Sequence, residues 1–121
     1  MKEYYTTHMI RMEDLNHHRL LYAGRAADWL IECSFVTAVA ARGDSRGLLF
    51  LKLENLEFFK SVLPGDIIKF TGKLINAGRT SLTIEVVATS EVSGDEHLKG
   101  TVKFVSVDPE TRRPVPHGIE V

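Results

Sequence analysis

Cysteine is almost absent from this chain, which has Cys33 alone among 121 residues. One thiol forms no disulfide within the chain and suits a reducing compartment, so a cytoplasmic location is expected. Long apolar runs are missing too. Neither the opening MKEYYTTHMI nor any later stretch has the uninterrupted hydrophobic length of a signal peptide or membrane span. No sign of charge dominates, with 15 Lys and Arg against 16 Asp and Glu. Phosphate-driven binding of nucleic acid needs a clustered positive surplus, so neither nucleic acid nor membrane is an expected partner. Repeats, linkers and low-complexity segments are also lacking, and a single domain over residues 1–121 is expected. A core of that size is modest and gains from burial in an oligomer.

What the sequence does have is one long apolar stretch among alternating ones. Tyr, Thr and Ile from about Tyr4 to Met12 predict a first strand, ended by the polar turn at Asp14 and Asn16. The run AGRAADWLIECSFVTAVAA that follows predicts a helix, stopped near Arg42-Gly43-Asp44. Being apolar nearly all round, it is expected to be enclosed by the rest of the fold. Strands are predicted from Leu48 to Phe58, around Ile68 to Leu74, around Leu82 to Thr89 and from Leu98 to Val107. Asn76-Ala77-Gly78 joins the middle two as a hairpin. The tail PETRRPVPHGIEV, residues 109–121, is too rich in proline to continue a strand and is expected to be irregular. The fold class is therefore α+β: one long helix against an antiparallel sheet of about five strands.

Arg25, Asp28 and Glu32 are three and four positions apart and fall on one stripe of that helix. The stripe has to reach solvent, a partner or a ligand; in the simplest arrangement it is a narrow wet edge on which Arg25 offsets Asp28. Cys33, with no neighbouring base in sequence, is expected to be packing rather than a nucleophile. No set of Cys, His or Asp with ligand spacing accompanies His17 and His18, so no metal is expected.

Several segments together resemble the hotdog-fold acyl-CoA thioesterases, in the branch of bacterial short-chain enzymes and brain acyl-CoA hydrolase. They are Asp14-Leu15-Asn16, the small residues Ala23-Gly24 opening a helix that contains Glu32, LKLENLEFFKSVLPGD from Leu51 to Asp66, AGRTS from Ala77 to Ser81, and FVSVDPETRRPVP near the end. The resemblance covers nearly the whole chain. It implies a central helix wrapped by a curved sheet, a homodimer that can assemble further to a tetramer or hexamer, and acyl-CoA bound between subunits. No cofactor is implied beyond the coenzyme A of the substrate.

The resemblance also assigns roles. The helix start, with Gly24 allowing close approach of a ligand, would hold the thioester oxygen as negative charge develops on it. Asn16 would donate to the carbonyl or position water, and His17 would act as a polar positioning group. Glu32 or Asp28 would serve as base or nucleophile, with Glu32 placed slightly ahead for its reach. Arg79, Ser81 and Ala23 would contact coenzyme A, Arg79 through phosphate on the neighbouring subunit. Three departures from the branch pattern stand out, the mildest being Ala23 in place of the first glycine of the small pair, since it keeps its N–H. Ile31 occupies the usual position of the helix carboxylate, and Arg19 stands where glycine is frequent, either closing the loop or holding a phosphate. Two other functions remain open: an acyl-CoA-binding module without turnover, and a hotdog dehydratase or hydratase.

Overall fold

The computed structural model describes residues 2–119. Five strands and one helix follow in the order β1 (Glu3–Met9), α1 (Ala23–Arg42), β2 (Leu48–Phe58), β3 (Ile67–Ala77), β4 (Ser81–Ser90) and β5 (Glu96–Ser106). All neighbours are antiparallel and the sheet order is β1-β3-β4-β5-β2, which leaves β1 and β2 as the two edges. α1 lies across the sheet and touches every strand.

The core forms where the inward faces of both layers meet. Alternate residues of β3, β4 and β5, among them Ile68, Phe70, Ile84, Val86, Val102 and Phe104, face Leu30, Cys33 and Ala38 of α1 and are buried. The approach is closest at Gly72, because a side chain there would run into Thr37 and the carbonyl of Cys33. Cys33 itself is buried, donates to the carbonyl of Phe70, and has its thiol pushed up chiefly by that burial. It is packing, as its surroundings in sequence suggested.

One predicted boundary moves, and the enclosure of the helix is incomplete. β1 ends at Met9 rather than Met12, because Ile10 turns to bond Asp66 O and residues Met12–Asp14 form a short 3-10 turn. α1 is not enclosed on all sides: its outward face carries Asp28, Glu32, Phe35 and Val36, all exposed. The helix does end where glycine predicts, with Gly43 at φ +90° donating to Val39 O. The tail is irregular but docked, through a Val107–Pro114 bridge and a bond from His117 Nε2 to Ser81 O. His117 Nδ1 accepts from Ile119 N, so Nε2 carries the proton. Residues 120 and 121 of the expected tail lie outside the described residues.

Candidate functional site

The segment from Asp14 to Gly24 is built by side chains that look after its backbone. Asp14, 6% exposed, accepts the Arg11 N–H through Oδ2 at 2.8 Å and faces Arg25 Nε through Oδ1 at 3.5 Å. Arg25 thus pairs with Asp14, not with Asp28 as the helical stripe suggested. Leu15 and Leu21 bridge, Asn16 N–H donates to Leu20 O, and Arg19 N–H donates to Asn16 O, which closes a three-residue hairpin loop. Loops of this kind end on a residue in the left-handed region, and Arg19 is there, at φ +59°. That conformation is the physical reason a glycine suits this position.

Asn16 is oriented by the same loop. Its Oδ1 accepts the N–H groups of His18 at 2.8 Å and Leu20 at 3.3 Å. Two donors on one oxygen fix the amide, and the Nδ2 group is left to donate elsewhere. Asn16 stands at the join of two cavities. One, about 300 Å³, is lined by Leu20, Leu21, Ala23 and Phe58 to Val62; the other, about 380 Å³, by Met12, Leu15, Arg19 and Pro64.

The helix start opens beside Asn16. The first intrahelical bonds run from Arg25 and Ala26 to Tyr22 O, and Tyr22 supplies no side-chain cap. The N–H groups of Ala23 and Gly24 therefore precede the hydrogen-bonded ladder and carry the positive end of the dipole. The exposed Tyr22 ring lies over Gly24, and a Cβ there would come within 2.6 Å of that ring, so a side chain at this position would make the Tyr22 ring swing aside.

The predicted carboxylates part company. Asp28 shares a shallow depression of about 180 Å³ with Gly24, Tyr22 and Arg25. Glu32 leans the other way, its Oε1 3.4 Å from His8 Nε2 on edge strand β1. His8 is stacked on Trp29 at 4.1 Å between ring centres, and its Nε2 is buried without a hydrogen bond. Asn16 and Ala23 look instead toward the end of β2 at the opposite edge. Ile31 is half-buried and packs against the core. His8 was missed in the sequence; its inward position in the alternation Tyr4, Thr6, His8 was the available signal.

The remaining expected residues are dispersed in one chain. His17 and His18 are both exposed, their rings 3.9 Å apart, and His17 lines none of the cavities described. Arg79 lies in the β3–β4 turn and Ser81 opens β4. That turn adjoins Ser106, through Ser106 N to Thr80 O, and Ser106 accepts from Arg42 Nε at the last residue of α1. A helix of 20 residues is about 30 Å long, so Arg79 and Ser81 stand roughly that far from Ala23.

A helix embraced by a five-stranded antiparallel sheet, with its N-terminus open beside a polar loop, defines the hotdog fold. The family profile described as the thioesterase-like superfamily matches residues 5–118, and the chain belongs to that family. Solved structures agree on the fold. An acyl-CoA hydrolase from Staphylococcus aureus, in complex with butyryl coenzyme A, coenzyme A and coenzyme A disulfide, is 22% identical with TM-score 0.86, over 94% of this chain and 68% of that one. A hexameric thioesterase from Yersinia pestis is 18% identical with TM-score 0.82, over 96% and 93%. A hexameric hotdog-fold thioesterase of Campylobacter jejuni is 20% identical with TM-score 0.77, over 95% and 88%. No curated protein matches the sequence significantly.

Proposed function

We propose that the protein hydrolyses acyl-CoA thioesters at the start of α1. The observation that carries this is Asn16, its oxygen committed to the loop and its amide free beside the first N–H groups of the helix. Water adding to a thioester carbonyl places negative charge on oxygen. Backbone N–H groups of Ala23 and Gly24 and the Nδ2 of Asn16 are donors of the kind that stabilises it. Asp28, beside Gly24, takes the role of general base; Glu32, turned to His8, is the less favoured carboxylate. A thioester is activated enough to need no metal or other cofactor.

The working unit is a homodimer joined along β2. This edge strand presents Leu49, Phe50 and Leu51, all exposed, beside Phe35 and Val36 of α1. A long apolar edge of this kind is covered in a folded protein. Pairing would also offer the Arg79 and Ser81 of one chain to the helix start of its partner, where they would take a phosphate of coenzyme A. Further assembly to a hexamer, the state of relatives with this fold, and a cytoplasmic location beside its CoA substrates complete the reading.

A second reading has its own support. Ile31 stands where the family has its carboxylate, and a module that binds CoA esters without turnover would look like this. Thiol release from a panel of acyl-CoAs separates the two. Wild type should turn over, Asp28→Asn should lose about 100-fold or more, and Glu32→Gln should lose far less. Binding of CoA esters with no thiol released by any of them establishes the module instead.

A further inference from the structure

We propose that His97 is a positioning residue of the acyl-CoA site, holding the cavity wall beside Asn16 and so setting how tightly substrate binds. The inference rests on the thioesterase reading and names a residue that serves it from outside the site.

His97 is the second residue of β5, is only 3% exposed, and takes no part in the proposed chemistry. Regular alternation along the strand would turn it to the face opposite its neighbour Leu98. Both are buried instead, because β5 bulges there: Leu98 pairs with Ala88 and Glu96 with Thr89, so His97 is the extra residue. A bulge breaks the ladder locally and re-aims a side chain. Here the ring is brought to the chain as it leaves β2.

That chain is the cavity wall. Phe58, Phe59, Lys60 and Ser61 line the cavity of about 300 Å³ together with Asn16 and Ala23. All four are exposed, so side-chain packing does little to fix them. The β2–β5 pairing ends at Phe58 and Leu98, and the bonds just beyond it converge on His97. Its carbonyl accepts the N–H of Phe59 at 2.8 Å and of Lys60 at 3.2 Å. Its Nδ1 lies 3.2 Å from Lys60 O, and since a carbonyl oxygen only accepts, Nδ1 carries a proton. Two residues on, Val62 O accepts the N–H of Leu21, in the turn that leads into α1. The wall is thus tied to His97 at one end and to the helix start at the other. A further tie, the ion pair of Lys60 with Asp95, is exposed on both sides and contributes little. Without the ring donor, substrate would have to order the wall as it binds. That weakens binding and leaves the groups that act on the thioester in place.

The test compares wild type with His97→Leu, which has similar volume and no donor, and His97→Asn, whose amide offers an N–H near the place of Nδ1. The substrate is butyryl-CoA or benzoyl-CoA, whichever wild type turns over faster. His97→Leu should raise KM about 10-fold with kcat within about 2-fold of wild type, and His97→Asn should recover most of that loss. An unchanged KM overturns the proposal, as does a loss confined to kcat or an equal loss in both variants. Should His97→Leu fail to fold, wild type decides. Its ring nitrogen signals in NMR should show a proton on Nδ1, and butyryl-CoA should slow amide exchange of Phe59 and Lys60; a bare Nδ1 or unchanged exchange overturns the role. If neither ester releases thiol, the hydrolase reading has failed by itself. Calorimetric binding of the same esters to wild type and His97→Leu then decides His97. Binding about 10-fold weaker in the variant supports the role, and equal affinities or no binding by wild type overturn it.

Discussion

At the scale of single residues, the site depends on groups whose neighbours leave them one job. Asn16 is the clearest case, since the loop N–H groups of His18 and Leu20 occupy its oxygen and leave its amide to a ligand. Asn16→Asp keeps the acceptor and removes the donor. It should fold with unchanged oligomeric state while thiol release falls about 100-fold, the effect expected of one lost oxyanion donor. Equal turnover by this variant would sink the role assigned to Asn16. The helix start after the polar turn at Asp14 and Asn16 was legible in the sequence by local chemistry, whereas the site roles of Asn16, Ala23 and Gly24 came from the resemblance. The pairing of His8 with Glu32 was not legible. It joins a strand to a helix across 24 positions of sequence, and no local pattern reports which carboxylate a half-buried histidine will meet. The same blindness put Arg25 beside Asp28, when the buried Asp14 of the preceding turn holds it.

Elements are held by close approach and by the turns at their ends. Gly72 is where β3 comes nearest α1, and a methyl group there meets Thr37 and the backbone of Cys33. Gly72→Ala should therefore destabilise by about 1–3 kcal/mol in urea unfolding, as overpacking does. An unchanged midpoint would mean that helix and sheet part more easily than their packing implies. The tail turn offers a pH-dependent counterpart. The N–H groups of Thr111 and Glu110 donate to Asp108 and hold its carboxyl below the usual carboxylate range. A folded value below the unfolded one means that the turn is favoured above about pH 4 and loosens as pH falls through the lowered value. Amide exchange of Glu110 and Thr111 should quicken in that acid window before the β4–β5 ladder responds; simultaneous loss would refute local control by Asp108. Strand periods and the glycine at the end of α1 were readable because they are local. The end of β1 was not, since Ile10 to Met12 have strand-like composition and leave the strand only to satisfy Asp66 and the Asp14 turn.

For the whole molecule, the sequence pattern reported burial without saying whose chain supplies the cover. α1 reads as apolar all round, yet Phe35 and Val36 face outward beside an exposed β2 edge. Both observations fit a face reserved for a second copy. Leu51 has no partner in the β2–β5 register, 55% of its surface is exposed, and it sits at a bulge of the edge strand. Leu51→Lys should convert the dimer to monomer in light scattering while leaving the far-UV spectrum unchanged, because charge on an edge opposes pairing. Loss of turnover should accompany it if Arg79 works on the partner's site. A mixing experiment examines that sharing directly. In a dimer of one Asp28→Asn chain and one Arg79→Ala chain, one site carries both defects and the other carries neither. Equal mixtures that exchange subunits freely should recover roughly a quarter of wild-type activity, since half the dimers are mixed and half their sites are intact. If each site belonged to one chain, every site would carry one defect or the other, and mixing would never exceed the average of the two crippled parents.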